Sequence, residues 1–210
     1  MLTISIPMKN KILAYLSLSL LVVEVILAVV SWIFAALNPE SGVRSMLSSE
    51  GIRWAFGGFI RQMQSSVLVW LILAGMAWGA LRDSRFSHDL FYSWSRQRRA
   101  LRYRKRVALR FSIATVLVYI AVISYFSFVP HAILLSVTGE LFPSAFSEAL
   151  VPIVCVGIIL LSVEYGVMSG IFPDVPSVFD ALVRGIRVIA PLFILYLLAT
   201  HVYYVVGYIF

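Results

Sequence analysis

The apolar run from residue 12 to residue 37 constrains the fold of this chain more than any other feature. It is long enough to cross a membrane as a tilted helix, because about 20 residues already span the hydrocarbon layer. A cleavable signal peptide would share the basic start at Lys9 and Lys11, but a signal core is about half as long. The run therefore predicts a first transmembrane helix, with Glu24 near its middle.

Four further apolar runs predict the same kind of element. Hydrophobic residues make up 61% of the chain, charged residues 13%, and the mean hydropathy is +0.94. Runs of this length suit helices and not barrel strands. We therefore expect an all-α polytopic integral membrane protein, with five transmembrane helices in a single membrane domain over residues 1–210. The predicted spans are residues 12–37, 66–81, 111–129, 151–171 and 188–210.

Between the first two spans, residues 48–64 have the pattern of an amphipathic helix. Ser48 or Ser49 is a suitable N-cap, and Glu50 falls in the first turn, where a negative charge is favourable. Arg53 and Arg61 lie away from the apolar side, which holds Ile52, Phe56, Phe59, Ile60 and Met63. The pattern predicts a helix at, or dipping into, the membrane interface. An ordinary amphipathic connector is the alternative.

Residues 82–110 are the most charged part of the chain, with ten basic residues among five aromatic ones. Such a mixture can bind RNA. It also describes a cytoplasmic segment beside a membrane, and we favour that interpretation and expect no nucleic-acid partner. The residues expected to contact anionic lipid headgroups or a partner are Arg96, Arg98, Arg99, Arg102, Arg104, Lys105 and Arg106.

The distribution of basic residues predicts the orientation. With a cytoplasmic N-terminus, fourteen of the 17 Lys and Arg residues lie inside and only Arg44, Arg53 and Arg61 lie outside. This agrees with the positive-inside rule. We expect a multi-pass protein of the cytoplasmic (inner) membrane of a bacterium, with its C-terminus outside.

Three polar residues inside apolar runs are candidate interaction residues: Glu24, Glu164 and His201. A charge at membrane depth is costly and usually faces protein or water. Glu24 could relay a proton, pair with an arginine of a partner helix, or stay protonated in an apolar setting. Glu164 is expected nearer an interface. His201 fits a hydrogen-bonded contact between helices better than a proton carrier.

Motifs typical of enzymes, metal sites and cofactor sites are missing from the sequence. His88, His131 and His201 are too scattered to predict a metal site, and Cys155 is the single cysteine. We expect no enzyme activity, no metal and no cofactor. Two G-x-x-x-G strings, at Gly75–Gly79 and Gly166–Gly170, suggest close helix packing.

Two strings resemble the p-aminobenzoyl-glutamate transporter (AbgT) family. The first is V-R-S-x-L-S-S-E-G-I-R-W at residues 43–54. The second runs from T-G-E-L-F-P-S-A-F at residues 138–146 through V-P-I at 151–153 to Tyr165-Gly166, Gly170 and Asp174-Val175. Ser144-Ala145-Phe146 stands where the family has Ser-Pro-Phe. The resemblance implies a framework role for Ser49, Glu50, Gly51, Arg53, Tyr165 and Gly166.

Between these strings the chain departs from the family. Members are roughly twice as long and hold substrate between paired hairpins and broken helices near the bilayer midplane. Here residues 82–110 occupy the place of the first such hairpin, and no substrate-site or ion-site residue has a match. We therefore expect an AbgT-like scaffold or accessory subunit of a membrane complex without autonomous transport, bound to other membrane subunits or to itself. The alternative is a minimal oligomeric exporter of p-aminobenzoyl-glutamate-like anionic solutes.

Overall fold

The part of the chain that the structure describes is predominantly α-helical. A computed structural model describes residues 8–94, 103–128 and 145–210. Within these ranges there are seven α-helices and no strand: α1 Met8–Leu37, α2 Ser49–Met63, α3 Ser66–Asp83, α4 Phe86–Trp94, α5 Tyr103–Phe128, α6 Ala145–Ser169 and α7 Val175–Ile209. Five of these helices (α1, α3, α5, α6 and α7) are long and apolar enough to cross a membrane. The predicted all-α polytopic membrane class is confirmed.

Four spanning helices begin before the first residues of the predicted spans, and α1 does so by four residues, at Met8 and not at 12. α5 begins at Tyr103 and not at 111, α6 at Ala145 and not at 151, and α7 at Val175 and not at 188. The reason is that hydropathy marks where a helix becomes apolar, whereas the hydrogen-bonded helix continues through polar turns. In α7 the caps decide the start, because the Asp174 Oδ1 atom accepts a hydrogen bond from the Ser177 amide at 3.0 Å.

The interfacial helix predicted at residues 48–64 corresponds to α2. Ser48 is its N-cap, with extended backbone angles, and its hydroxyl accepts a hydrogen bond from the Gly51 amide at 3.0 Å. Glu50 lies in the first turn and Arg61 in the last, so both charges suit the helix dipole. The predicted apolar side is largely open: Phe56 is 83% exposed and Ile60 is 73% exposed.

The helices group into two compact units. Unit 1 comprises residues 1–68 and 189–210, and unit 2 comprises residues 69–188. Helices α3 and α7 each contribute one part to each unit.

In unit 1, the turn before α2 is fixed by backbone hydrogen bonds. The Ser31 hydroxyl of α1 accepts a bond from the Met46 amide at 3.1 Å, and the Arg44 amide donates to the Ile209 carbonyl at 3.1 Å. Met46 lies in a small buried core with Val205, Tyr208 and Ile209. The Trp54 ring of α2 stacks on Tyr208 with centroids 4.4 Å apart. These contacts hold α2 against the end of α7.

In unit 2, α5 and α6 form the main packed pair. The α5 face holds Ala108, Ser112, Thr115 and Tyr119, at the four- and three-residue spacing of one helix side. The Tyr119 hydroxyl donates to the Ile153 carbonyl at 2.8 Å, and a Cβ atom on Gly157 would lie 3.0 Å from the Tyr119 ring. The absence of a side chain at Gly157 therefore makes room for that ring.

Also in unit 2, α3 and α7 cross in close contact at small residues. A Cβ atom on Gly79 would overlap the Ala181 carbonyl and approach the Gly185 backbone, and a Cβ atom on Gly185 would overlap the Gly75 carbonyl. The first predicted G-x-x-x-G string thus packs inside this chain, against a second small-x-x-x-small string, Ala181–Gly185. Beside the crossing, Arg184 and Asp83 form a salt bridge at 3.0 Å.

Candidate functional site

In unit 1, a narrow seam along α1 positions Glu24. The less exposed residues of α1 recur every three or four positions, and they are Leu13, Ser17, Leu20, Glu24, Leu27, Ala28, Ser31 and Ala35. This spacing places them on one side of the helix, while the rest of α1 presents exposed apolar side chains. Glu24 therefore lies on the single side of α1 that contacts the rest of unit 1.

The structure brings two sequence-predicted residues, Glu24 and His201, into direct contact. The His201 Nδ1 atom lies 2.8 Å from the Glu24 Oε1 atom, and the His201 side chain is only 12% exposed. The two residues are 177 positions apart in the chain. The His201 ring also contacts Phe59 of α2, with centroids 5.6 Å apart. Glu24 thus has a partner within its own chain.

A cavity of about 310 Å³ lies beside this pair, and Glu24 and His201 both line it. Its other walls are apolar, from α2, α7 and Met46. The arrangement can do two things chemically. It can stabilise the contact between α1 and α7, because each polar group satisfies the other at membrane depth. It can also hold a proton between a carboxylate and an imidazole.

In unit 2, a second buried polar cluster centres on Asp89 of α4. The Asp89 side chain is 6% exposed. Its Oδ2 atom accepts hydrogen bonds from the Lys105 ammonium at 2.7 Å and from the Tyr165 hydroxyl at 2.6 Å. The Asp89 Oδ1 atom lies 3.4 Å from His88 Nδ1. One carboxylate thus connects α4, α5 and α6.

The surroundings of Asp89 favour its ionised form. Burial by itself raises the pKa of this carboxyl group, but the hydrogen bonds from Lys105 and Tyr165, together with the charge of Lys105, outweigh it. The net result is a pKa below the ordinary value of 3.8. At neutral pH the cluster therefore contains a carboxylate with a paired ammonium, which is the arrangement that makes a buried charge tolerable.

Sequence reasoning missed Asp89. A usable signal was present, because Asp83 and Asp89 are the two acidic residues in the otherwise basic residues 82–110. An isolated acid among many bases is a candidate for an internal ion pair. Its contact with Tyr165, however, joins residues 76 positions apart and has no local signature.

Glu164, the second predicted intramembrane acid, has a hydrogen-bond partner on α5. The Thr115 hydroxyl donates to the Glu164 Oε1 atom at 3.0 Å. The Glu164 Oε2 atom is buried and has no hydrogen-bond partner among the described residues. Glu164 belongs to unit 2, whereas Glu24 and His201 belong to unit 1.

The predicted framework residues Tyr165 and Gly166 shape the end of α6. The Ile171 and Phe172 amides both donate to the Gly166 carbonyl, at 2.9 and 3.0 Å. Gly170 has the left-handed φ of +80° that such a helix end requires. A Cβ atom on Gly166 would overlap the Phe172 ring. The string from Tyr165 to Val175 therefore builds a helix end, a turn and the N-cap of α7.

The other framework residues, Ser49 to Arg53, build the start of α2. A Cβ atom on Gly51 would lie 2.5 Å from the Ser45 and Met46 carbonyl oxygens, so the turn requires glycine there. Ser49, Glu50 and Arg53 are exposed.

The predicted basic contact residues are described only in part. Arg104, Lys105 and Arg106 lie in the first turn of α5, where Arg104 and Arg106 are exposed and Lys105 binds Asp89. Arg96, Arg98, Arg99 and Arg102 lie outside the described residues. So do residues 138–144 of the second family-like string.

Within the described residues, no three His, Cys, Asp or Glu side chains come together as metal ligands. Comparisons with models of protein families, with curated proteins and with solved structures gave no match to this chain.

Proposed function

We propose that this chain is an AbgT-like scaffold or accessory subunit of a membrane-protein complex and does not transport solute by itself. The observation that carries the proposal is the continuity of the spanning helices. Carriers of the family's type bind ions and substrates at discontinuous helices near the bilayer midplane. In the described residues α1, α3, α5, α6 and α7 run without a break, and α6 and α7 do so through Pro152 and Pro191.

The intramembrane acids support the same proposal. Glu24 bonds to His201, and Glu164 accepts a hydrogen bond from Thr115. Each acid thus holds two helices together inside one unit, which suits a structural role. We place the protein in the inner membrane of a bacterium, with a cytoplasmic N-terminus, on the basis of the fourteen-to-three distribution of basic residues.

α1 is the favoured surface for a partner helix. It buries the smallest share of its residues among the five spans. Its outer side carries exposed apolar residues at helical spacing, including Leu18, Val22, Val25 and Val29. Packing in the membrane depends on shape, so a partner helix would have to fit this side closely.

The test is native mass spectrometry of tagged protein taken from its own membrane in mild detergent. We expect an unrelated membrane protein at fixed stoichiometry. Replacing Val22 and Val25 with tryptophan should release it, because bulk on the outer side of α1 blocks close packing without touching the Glu24 seam. A matched change on α5, at the exposed residues Leu117 and Val118, should leave the partner bound. A pure homo-oligomer, or a partner unaffected by both changes, would contradict the proposal.

The second candidate function is a minimal oligomeric carrier that exports an anionic solute similar to p-aminobenzoyl-glutamate. The observation that favours it is the cavity beside Glu24 and His201, because a carboxylate–imidazole pair can exchange protons. Its test is solute flux in proteoliposomes under an imposed pH gradient. The carrier predicts flux that Glu24→Gln abolishes while assembly stays intact. The scaffold predicts no flux, and weaker assembly on the same substitution.

A further inference from the structure

A groove in unit 1 is lined by two arginines that have no carboxylate partner among the described residues. Arg53 and Arg61 lie on one side of α2, eight residues and about 12 Å apart along the helix axis. Between them lies Gly57, and a Cβ atom there would meet nothing within 4 Å. The groove has a volume of about 570 Å³.

The groove has fixed aromatic and polar walls. Trp54 lines it and is held by its stacking on Tyr208, and Tyr204 of α7 forms the facing wall. Gln62 also lines it and is 7% exposed, and its Oε1 atom has no hydrogen-bond partner among the described residues. The carboxylate of Glu50 lies on the same wall, so the lining keeps a net charge of +1 from two arginines and one glutamate.

The side of α2 next to the groove is apolar and open. Ile52, Phe56 and Ile60 recur every four residues and are 48%, 83% and 73% exposed. α2 thus presents three sides: a packed side with Gly51, Gly58 and Gln62, a cationic side with Arg53 and Arg61, and an apolar side. A molecule that combines an anionic head with hydrocarbon chains matches the last two sides at once.

We infer that this groove binds the phosphate of an anionic phospholipid headgroup, with phosphatidylglycerol as a lipid of that class. The guanidinium groups of Arg53 and Arg61 bind the phosphate, because their forked donors match its oxygens. The acyl chains lie along Ile52, Phe56 and Ile60. The site is separate from the basic segment at residues 82–110 and does not depend on the proposed function.

The test counts lipids bound to the intact purified protein by native mass spectrometry, during titration with phosphatidylglycerol or phosphatidylcholine. We expect phosphatidylglycerol to bind more tightly. Each arginine near a headgroup is worth about fivefold in affinity, so the double variant R53Q/R61Q should bind roughly 25-fold more weakly. Gly57→Leu fills the groove from its open floor and should also remove binding, with Tm unchanged. Arg110→Gln, an exposed arginine on α5, is the matched control and should change affinity less than twofold.

Competition with sn-glycerol 3-phosphate distinguishes the source of the phosphate. No displacement at millimolar concentration assigns the groove to lipid. Displacement that R53Q/R61Q abolishes assigns it to a soluble phosphate ester and keeps the groove as a phosphate site. Equal binding of the two lipids, or equal losses in R110Q and R53Q/R61Q, would overturn the inference.

Discussion

At the scale of single residues, the contact between Tyr165 and Asp89 is the clearest source of stability. Both side chains are buried, and the hydroxyl donates to a charged acceptor at 2.6 Å. Tyr165→Phe removes that donor and leaves Lys105 in place. We expect a loss of about 1.5–3 kcal/mol in the free energy of unfolding, the usual contribution of a hydrogen bond to a charged group. Thermal melting in detergent measures this loss as a lower Tm for Tyr165→Phe.

Tyr125→Phe is the control for that substitution, since Tyr125 is 63% exposed. It should leave Tm unchanged. An equal Tm for Y165F and the unaltered chain would contradict the interpretation of Asp89 as the polar centre of unit 2.

The lowered pKa of Asp89 also predicts how stability depends on pH. A carboxyl group whose folded pKa lies below its unfolded value stabilises the fold fully above the unfolded value, here 3.8, and loses that contribution as pH falls through the folded pKa. The Tm difference between the unaltered chain and Asp89→Asn should therefore be constant from pH 7 to pH 5. It should shrink below about pH 3.8. A difference that changed between pH 7 and pH 5 would assign the effect to another group.

At the scale of elements, the crossing of α3 and α7 depends on a lack of side chains. Gly79→Ala places a methyl group against the Ala181 carbonyl and the Gly185 backbone, so the helices must separate. We expect a loss of about 1–3 kcal/mol, as for overpacking in a core. Gly57→Ala, in a helix whose glycine has open space, is the matched control and should be neutral or stabilising. Thermal melting of the two variants measures the difference in stability. Equal melting curves would contradict the close approach of α3 and α7 at Gly79.

The elements show how far the sequence predicts this protein. Long apolar runs predicted the five spans, and the pattern of Ser48, Glu50 and Ile52 predicted α2, because these signals are local. The predicted span at residues 188–210 lies inside α7, which begins thirteen residues earlier at Val175. Asp180, Arg184 and Arg187 lower the hydropathy there, although Val178, Ala181, Leu182 and Gly185 keep a helical spacing.

The candidate sites were predicted less well, for a different physical reason. Glu24 and His201 were both selected, each because a polar group at membrane depth is costly, but their pairing joins distant helices and has no local pattern. Asp89 was missed because it lies outside the apolar runs in which such groups were sought. Tyr165 donates a hydrogen bond to Asp89, and Gly166 leaves room for the Phe172 ring. Both roles depend on tertiary contacts, which no local pattern predicts.

At the scale of the whole molecule, the distribution of basic residues predicts which side of the membrane each connection faces. Cys155, the single cysteine, is buried, so Cys155→Ser gives a thiol-free background. In that background we expect Ser41→Cys to react with a membrane-impermeant maleimide in intact cells. Arg106→Cys should react only after the cells are opened. Both positions are exposed. The reverse pattern would contradict the proposed cytoplasmic N-terminus.

The helix end at Gly166 has a consequence for sequence variation. The Phe172 ring occupies the space that a side chain at position 166 would need. The sizes of the residues at these two positions therefore constrain each other. An alanine at 166 requires the Phe172 ring to move or to be replaced by a smaller side chain, and loss of the ring removes this constraint on position 166. Glycine at position 166 can therefore persist through this steric constraint alone.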